Sequence, residues 1–203
     1  MTFKYRGILG AWVLALAATI ATQSAYANDL LFVSTGAATR APIGWVEFCA
    51  ERPTECKSTT SAPRDVVLNS KSWTDLVRIN KWVNESVKPM TDMDHWGVVE
   101  KWSYPDDGYG DCEDYQLLKR KLLRERGLPQ RAMRMTVVID ELNEGHAVLM
   151  IRTDRGDYIL DNKTNAVLPW DETGYVYVKR EGHDSMAWTS LGGVTSPTAT
   201  ANR

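Results

Sequence analysis

Between residues 112 and 180 the spacing of apolar side chains changes period once, and that change limits the fold more than any other feature of the chain. In "GYGDCEDYQLLKRKLL", residues 108 to 123, Cys112, Tyr115, Leu118 and Leu122 recur at intervals of three and four, which makes one apolar helix face. Gly127 and Pro129 end it. Strand patterns follow: "RMTVVI" from Arg134 to Ile139, "HAVLMIR" from His146 to Arg152, "DYILD" from Asp157 to Asp161 and "YVYVKR" from Tyr175 to Arg180. A helix followed by closely spaced strands predicts an α+β domain, with the cysteine-bearing helix packed on an antiparallel sheet.

The helix begins in turn chemistry, since "YPDDGYGD" contains Pro105, Gly108 and Gly110. Asp111 falls at the N-cap and Asp114 three residues on, a capping box with Asp in place of Glu. Cys112 then occupies the first helical position, where free N–H groups and the helix dipole favour a thiolate. The second and third strands read as a hairpin with its turn at "TDRG". With a two- or four-residue loop, even positions face odd ones, and His146 and Asp161 share one face of the sheet. A helix N-terminus with a lone Cys, a strand with His and a second strand with Asp supply the parts of a thiol triad: Cys112 as nucleophile, His146 as base, Asp161 as orienting carboxylate. His95 and His183 have no comparable carboxylate on a paired strand. "RGD" at residues 155 to 157 is explained by the same turn.

The amino terminus carries Lys4 and Arg6, the apolar run "ILGAWVLALAATIA" and the small residues of Ala25-Tyr26-Ala27, the pattern of a secretory signal cut after Ala27. The run is too short to span a bilayer, which takes about 20 residues. Losing Lys4 and Arg6 takes the formal charge of −2 to −4, which points away from nucleic acid and anionic membranes as partners. The remainder, residues 28–182, suits one domain, and the Ser-, Thr- and Gly-rich residues 183–203 read as a loosely held tail. In the oxidising compartment that a signal implies, Cys49 and Cys56, bracketing "AERPTE", are placed to form a disulfide, which leaves Cys112 unpaired.

"DMDHWGVVEKWSYPDDGYGDCEDYQLLKRKLL" and "GHAVLMIRTDRGDYILDN" resemble the bacterial transglutaminase-like cysteine peptidases, the family that includes the periplasmic LapG proteases. "GDCEDY", "HAVL" and "LDN" are the most specific pieces, and "FCAERPTEC" is similar to the N-terminal region of short members. The resemblance implies a papain-like, transglutaminase-like core, a periplasmic location and a catalytic Cys, His and Asp at Cys112, His146 and Asp161. For LapG-type members it also implies a calcium site using Asp111 and Glu113. The best understood members cleave large surface adhesins, so a protein substrate of that kind is the implied partner.

Asp111, Glu113 and Asp114 surround the thiol and by themselves oppose its ionisation. A calcium ion held by these three, with the Asp106–Asp107 loop nearby, would cancel that field. Two other readings use the same residues: an acyl transferase that passes the thioester to an amine, and a non-catalytic calcium-binding module in which Cys112 only packs.

Overall fold

The computed structural model describes residues 1–2, 31–57, 61–182 and 187–196. Apart from its first two residues, the expected signal peptide lies outside the described residues, as do 183–186 and 197–203 of the expected tail. No helix among the described residues is long and apolar enough to cross a membrane.

The chain runs through β1 (Ala38–Thr39), α1 (Ile43–Glu51), α2 (Pro53–Cys56), α3 (Ser70–Ser86), β2 (Lys88–Pro89), α4 (Asp92–Trp96), β3 (Tyr109–Gly110) and α5 (Cys112–Glu125). Strands β4 (Met133–Ile139), β5 (Gly145–Thr153), β6 (Gly156–Leu160), β7 (Leu168–Pro169), β8 (Val176–Glu181) and β9 (Trp188–Thr195) complete it. The four strands expected from the sequence are present, with ends within one or two residues. Seven strands form one sheet in the order β1-β9-β8-β4-β5-β6-β7, each pair antiparallel.

Both faces of this sheet are covered. Leu149 and Ile151 on β5 and Leu160 on β6 join a core shared with Leu117 and Leu123 of α5 and Leu76 and Val83 of α3. Val148 and Met150 point the other way, into a second cluster with Ile159, Trp170, Tyr177 and Leu191. Double coverage is why "HAVLMIR" is an unbroken apolar run rather than an alternating one. Helix α3 starts at a capping box, in which Asn69 accepts from Lys71 and Ser72 N–H and Ser72 Oγ accepts from Asn69 N–H. Helix α5 is tied to β8 by the buried pair of Arg120 Nη1 and Glu181 Oε2 at 2.8 Å.

The expectation of a loose tail fails for residues 188–195, which form β9 between β8 and β1. Trp188 is 1% exposed and meets Trp45 and Trp102 edge-on at 6.2 and 6.4 Å, and Leu191 enters the second cluster. "WTSLGGVT" hides this because its ladder hydrogen bonds and two large side chains do the work, with small polar residues between them. Gly192 and Gly193, at φ of +69° and +68°, take the chain through the irregular pairing opposite Tyr177 to Lys179.

Cys49 and Cys56 form a disulfide, as expected. The bridge folds α2 back on α1 and presents Glu55, whose two carboxylate oxygens accept from Arg124 at the end of α5 at 2.8 and 3.0 Å. Tyr104 Oη also donates to Glu55, at 2.9 Å. Cys49→Ser should therefore lower stability by about 2–3 kcal/mol, the loop-closure value for so short a ring, without changing the geometry around Cys112. Chemical unfolding of the oxidised, reduced and substituted proteins measures it.

Candidate active site

The hairpin β5–β6 turns through two residues, Asp154 and Arg155, with Thr153 opposite Gly156 and Leu149 opposite Leu160. This is the register that puts His146 and Asp161 on one face. Pairing stops at Leu160, and the chain leaves the sheet at Asp161. Beyond that point the edge of β5 is taken by the start of α5: Ala147 N–H points to Cys112 Sγ at 3.4 Å, and Ala147 C=O accepts from Gln116 Nε2 at 3.4 Å. The thiol thus lies beside the residue that follows His146.

His146 Nε2 is 2.8 Å from Asp161 Oδ1, with both side chains buried. Asp161 Oδ1 also accepts from Lys163 N–H at 3.1 Å, and its Oδ2 accepts from Tyr175 Oη at 2.5 Å. Burial alone would raise this carboxyl, but the bond and charge of His146, with Tyr175 and Lys163 N–H, hold it below the usual carboxylate range. An ionised carboxylate can only accept, so the neutral imidazole carries its proton on Nε2 and leaves Nδ1 as the basic nitrogen.

Around the thiol the balance is reversed. Cys112 Sγ donates to Glu113 Oε2 at 3.1 Å. Burial, then the charge and hydrogen bond of Glu113, then Asp111, push the thiol well above its ordinary value. Burial and Asp111 push Glu113 up to about 9, and burial pushes Asp114 up to about 8. Asp92 and Asp111 are raised as well, chiefly by burial.

Two expectations about these carboxylates change. Asp111 is the N-cap residue of α5, but its side chain makes no capping bond; Oδ2 accepts from Asp92 N–H at 3.3 Å. Asp114 turns to the preceding loop and accepts from Ser103 N–H at 2.7 Å, where a Cβ on Gly110 would stand 2.7 Å from it. The capping box is replaced by bonds that bind neighbouring loops to the helix start. The carboxylates that converge are Asp92, Asp111 and Glu113, with oxygens within 4.8 Å of one another, rather than the expected set with Asp114. Asp107 is drawn away to His95 Nε2 at 2.7 Å.

Residues 35–196 match the family described as bacterial transglutaminase-like cysteine proteinase. The chain belongs to that family. Three structures of Legionella pneumophila LapG are similar to this cysteine peptidase: a calcium-bound form at 24% identity and TM-score 0.52, covering 62% of this chain and 72% of that one; an EGTA-treated form at 24% and 0.50, covering 58% and 67%; and a third at 22% and 0.50, covering 64% and 76%. At these identities the likeness shows a shared fold, the transglutaminase-like packing of a helix on an antiparallel sheet. The chain has no match among curated protein sequences.

Within this transglutaminase-like fold, Asp92 was not foreseen from the sequence. It reaches the site through the short parallel pairing of β2 with β3, Lys88 beside Tyr109 and Pro89 beside Gly110, which lays residues 88–92 along the entry to α5. The signal available was "TDMD", where Thr91 caps α4 by accepting from Asp94 N–H. A groove of about 590 Å³ between α3 and α5, lined by Trp82 and Leu122, includes neither Cys112, His146 nor Asp161.

The acidic cluster makes stability depend on pH in a defined direction. A carboxyl raised on folding, as Glu113 is, favours the folded chain while protonated; that contribution is complete below the ordinary carboxylate range and is lost as pH rises through about 9. In chelator, the melting temperature should fall steadily from pH 5 to pH 9, and Glu113→Gln should flatten the slope. Differential scanning calorimetry across that range reads both.

Proposed function

We infer that the protein is a thiol peptidase of the periplasm in which Cys112 is the nucleophile, His146 the base and Asp161 the carboxylate that orients it. The observation that carries this reading is the 2.8 Å bond between His146 Nε2 and Asp161 Oδ1, on a strand whose next N–H meets Cys112 Sγ. The proton of Cys112 passes to the free nitrogen of His146. The sulfur attacks the scissile carbonyl, and the Cys112 N–H, at the free end of α5, supports the oxyanion. His146 then gives its proton to the leaving amine, the C–N bond breaks, and water, deprotonated by the same ring, hydrolyses the thioester. The substrate is a protein, and the resemblance to the LapG proteases favours a cell-surface adhesin.

Calcium belongs to this reading. Three buried or half-buried carboxylates close together, all with raised pKa values, form a hard-oxygen donor set suited to that ion, and Asp111 Oδ1 has no hydrogen-bond partner among the described residues. A similar structure, that of LapG, is described as calcium-bound. Asp92, Asp111 and Glu113 would hold the ion, and its charge would offset the field that keeps the thiol protonated.

Cys112→Ala and His146→Ala should each abolish cleavage, and Asp161→Asn should leave a weak remainder, because the orienting group contributes less than the nucleophile or base. A chelator should suppress activity and calcium should restore it better than magnesium, while Asp111→Ala should lose calcium binding in calorimetry and remain folded. Cleavage by the Cys112→Ala protein at the wild-type rate would exclude the peptidase assignment.

A further inference from the structure

We propose that Tyr175 is a positioning residue for the His146–Asp161 pair: its hydroxyl holds one oxygen of the carboxylate while its ring packs against the imidazole, so that a single side chain aligns both partners. The inference rests on the roles given above to Cys112, His146 and Asp161.

Asp161 Oδ1 meets His146 Nε2 and Lys163 N–H. The other oxygen, Oδ2, accepts from Tyr175 Oη at 2.5 Å, a short charge-assisted bond that fixes the plane of the carboxylate about its Cβ–Cγ bond. The same tyrosine meets the His146 ring, with centroids 5.8 Å apart and planes at 73°. Tyr175 is 6% exposed. Burial, then the charge and bond of Asp161, raise the phenol far above its ordinary value, so it remains a donor wherever Asp161 is ionised.

The backbone at Tyr175 is itself held. Gly174, at φ of +80°, makes the turn ahead of β8, Tyr175 N–H donates to Thr173 Oγ1 at 3.3 Å, and Tyr175 C=O accepts at 3.0 Å from the N–H of Ser196, one residue past β9. Ser196 is buried, and its Oγ donates to Asp171 C=O and accepts from Gly174 N–H. Packing alone does not call for the hydroxyl: the ring joins the cluster of Val148, Met150 and Trp170, where a phenylalanine would fill the same space. Tyr177, two residues on in the same cluster, is the contrast, since its hydroxyl lies on Trp170 C=O and Thr173 Oγ1 instead.

When His146 takes the thiol proton it becomes an imidazolium, which Asp161 stabilises best in the plane that keeps Oδ1 on Nε2. Without the phenol, Oδ2 is a buried charged oxygen that has lost this donor, and the carboxylate turns more freely. Fewer molecules at any moment then hold His146 ready for Cys112. The loss falls on formation of the thiolate, because a hydroxyl buried against Asp161 is not presented to a substrate.

The test is the rate at which iodoacetamide alkylates the oxidised chain with calcium added. The sequence has three cysteines, of which Cys49 and Cys56 are paired, so the label reads Cys112 alone. Tyr175→Phe should slow labelling by about tenfold, the effect of losing a hydrogen bond to a charged group. Tyr177→Phe, which removes a neighbouring buried hydroxyl that does not touch Asp161, should change the rate by less than about twofold. Adding Tyr175→Phe to Asp161→Ala should bring no further loss, because the hydroxyl acts through that carboxylate. Labelling of folded Tyr175→Phe at the wild-type rate, or a full loss that persists in the Asp161→Ala background, would overturn the proposal. Failure of Tyr175→Phe to fold, read by circular dichroism, would also overturn it, by making the hydroxyl a structural requirement. His146→Ala keeps the two readings apart: labelling of that variant as fast as wild type removes the base assignment and this proposal with it, whereas slow labelling there beside unchanged labelling of Tyr175→Phe removes the proposal alone.

Discussion

The site depends on one unfilled edge. Strand β5 runs from Gly145 to Thr153, but its partner β6 pairs with it only up to Leu149. Ahead of that point the backbone of Ala147 needs a donor and an acceptor that no strand supplies, and a bare backbone edge is costly when buried. Cys112 Sγ and Gln116 Nε2 supply them, so the helix start is held against the strand by satisfying its hydrogen bonds. The same departure of the chain at Leu160 turns Asp161 toward His146. The Cys112 thiol and the His146–Asp161 pair come to one stretch of β5 because β6 stops pairing at Leu160.

The charges near the thiol follow from what each carboxylate binds. Asp161 accepts from a ring nitrogen, a phenol and a backbone N–H, and stays ionised although buried. Asp92, Asp111 and Glu113 have fewer donors and face one another; burial raises all three, and repulsion from neighbouring carboxylates adds to it at Asp111 and Glu113. One carboxylate environment is complete, and the other leaves Asp111 Oδ1 without a hydrogen-bond partner among the described residues. Asp92 binds the Lys101 N–H and Asp111 accepts from the Asp92 N–H, so a charge placed there would also tie the 92–101 segment to the helix start.

How much of this was legible follows from the range of each interaction. The helix from Cys112 and the four strands carry their period within single segments, and the hairpin register fixes His146 and Asp161 as soon as the turn has two residues. Asp92 was hidden because a two-residue parallel pairing brings it in across nineteen positions of chain, and so short a ladder leaves no pattern. Asp114 misled because capping and loop anchoring use the same residue type in the same place, and only the position of Ser103 N–H decides between them. Strand β9 was missed because Ser, Thr and Gly are the composition of loose ends, whereas here Trp188 and Leu191 fill two separate cores.

That last strand also sets an order of events. β9 lies between β8 and β1, and Trp188 closes an aromatic cluster whose other members, Trp45 and Trp102, come from the first half of the chain. A polypeptide delivered amino end first can form α1, α3 and α5 early, yet β1 has no neighbour and Trp45 no lid until nearly every residue has emerged. Contacts between residues some 140 positions apart are slow to close. Cys112 is therefore made long before the sheet that stabilises its surroundings is complete, and a nascent or truncated chain carries that free thiol without the finished domain.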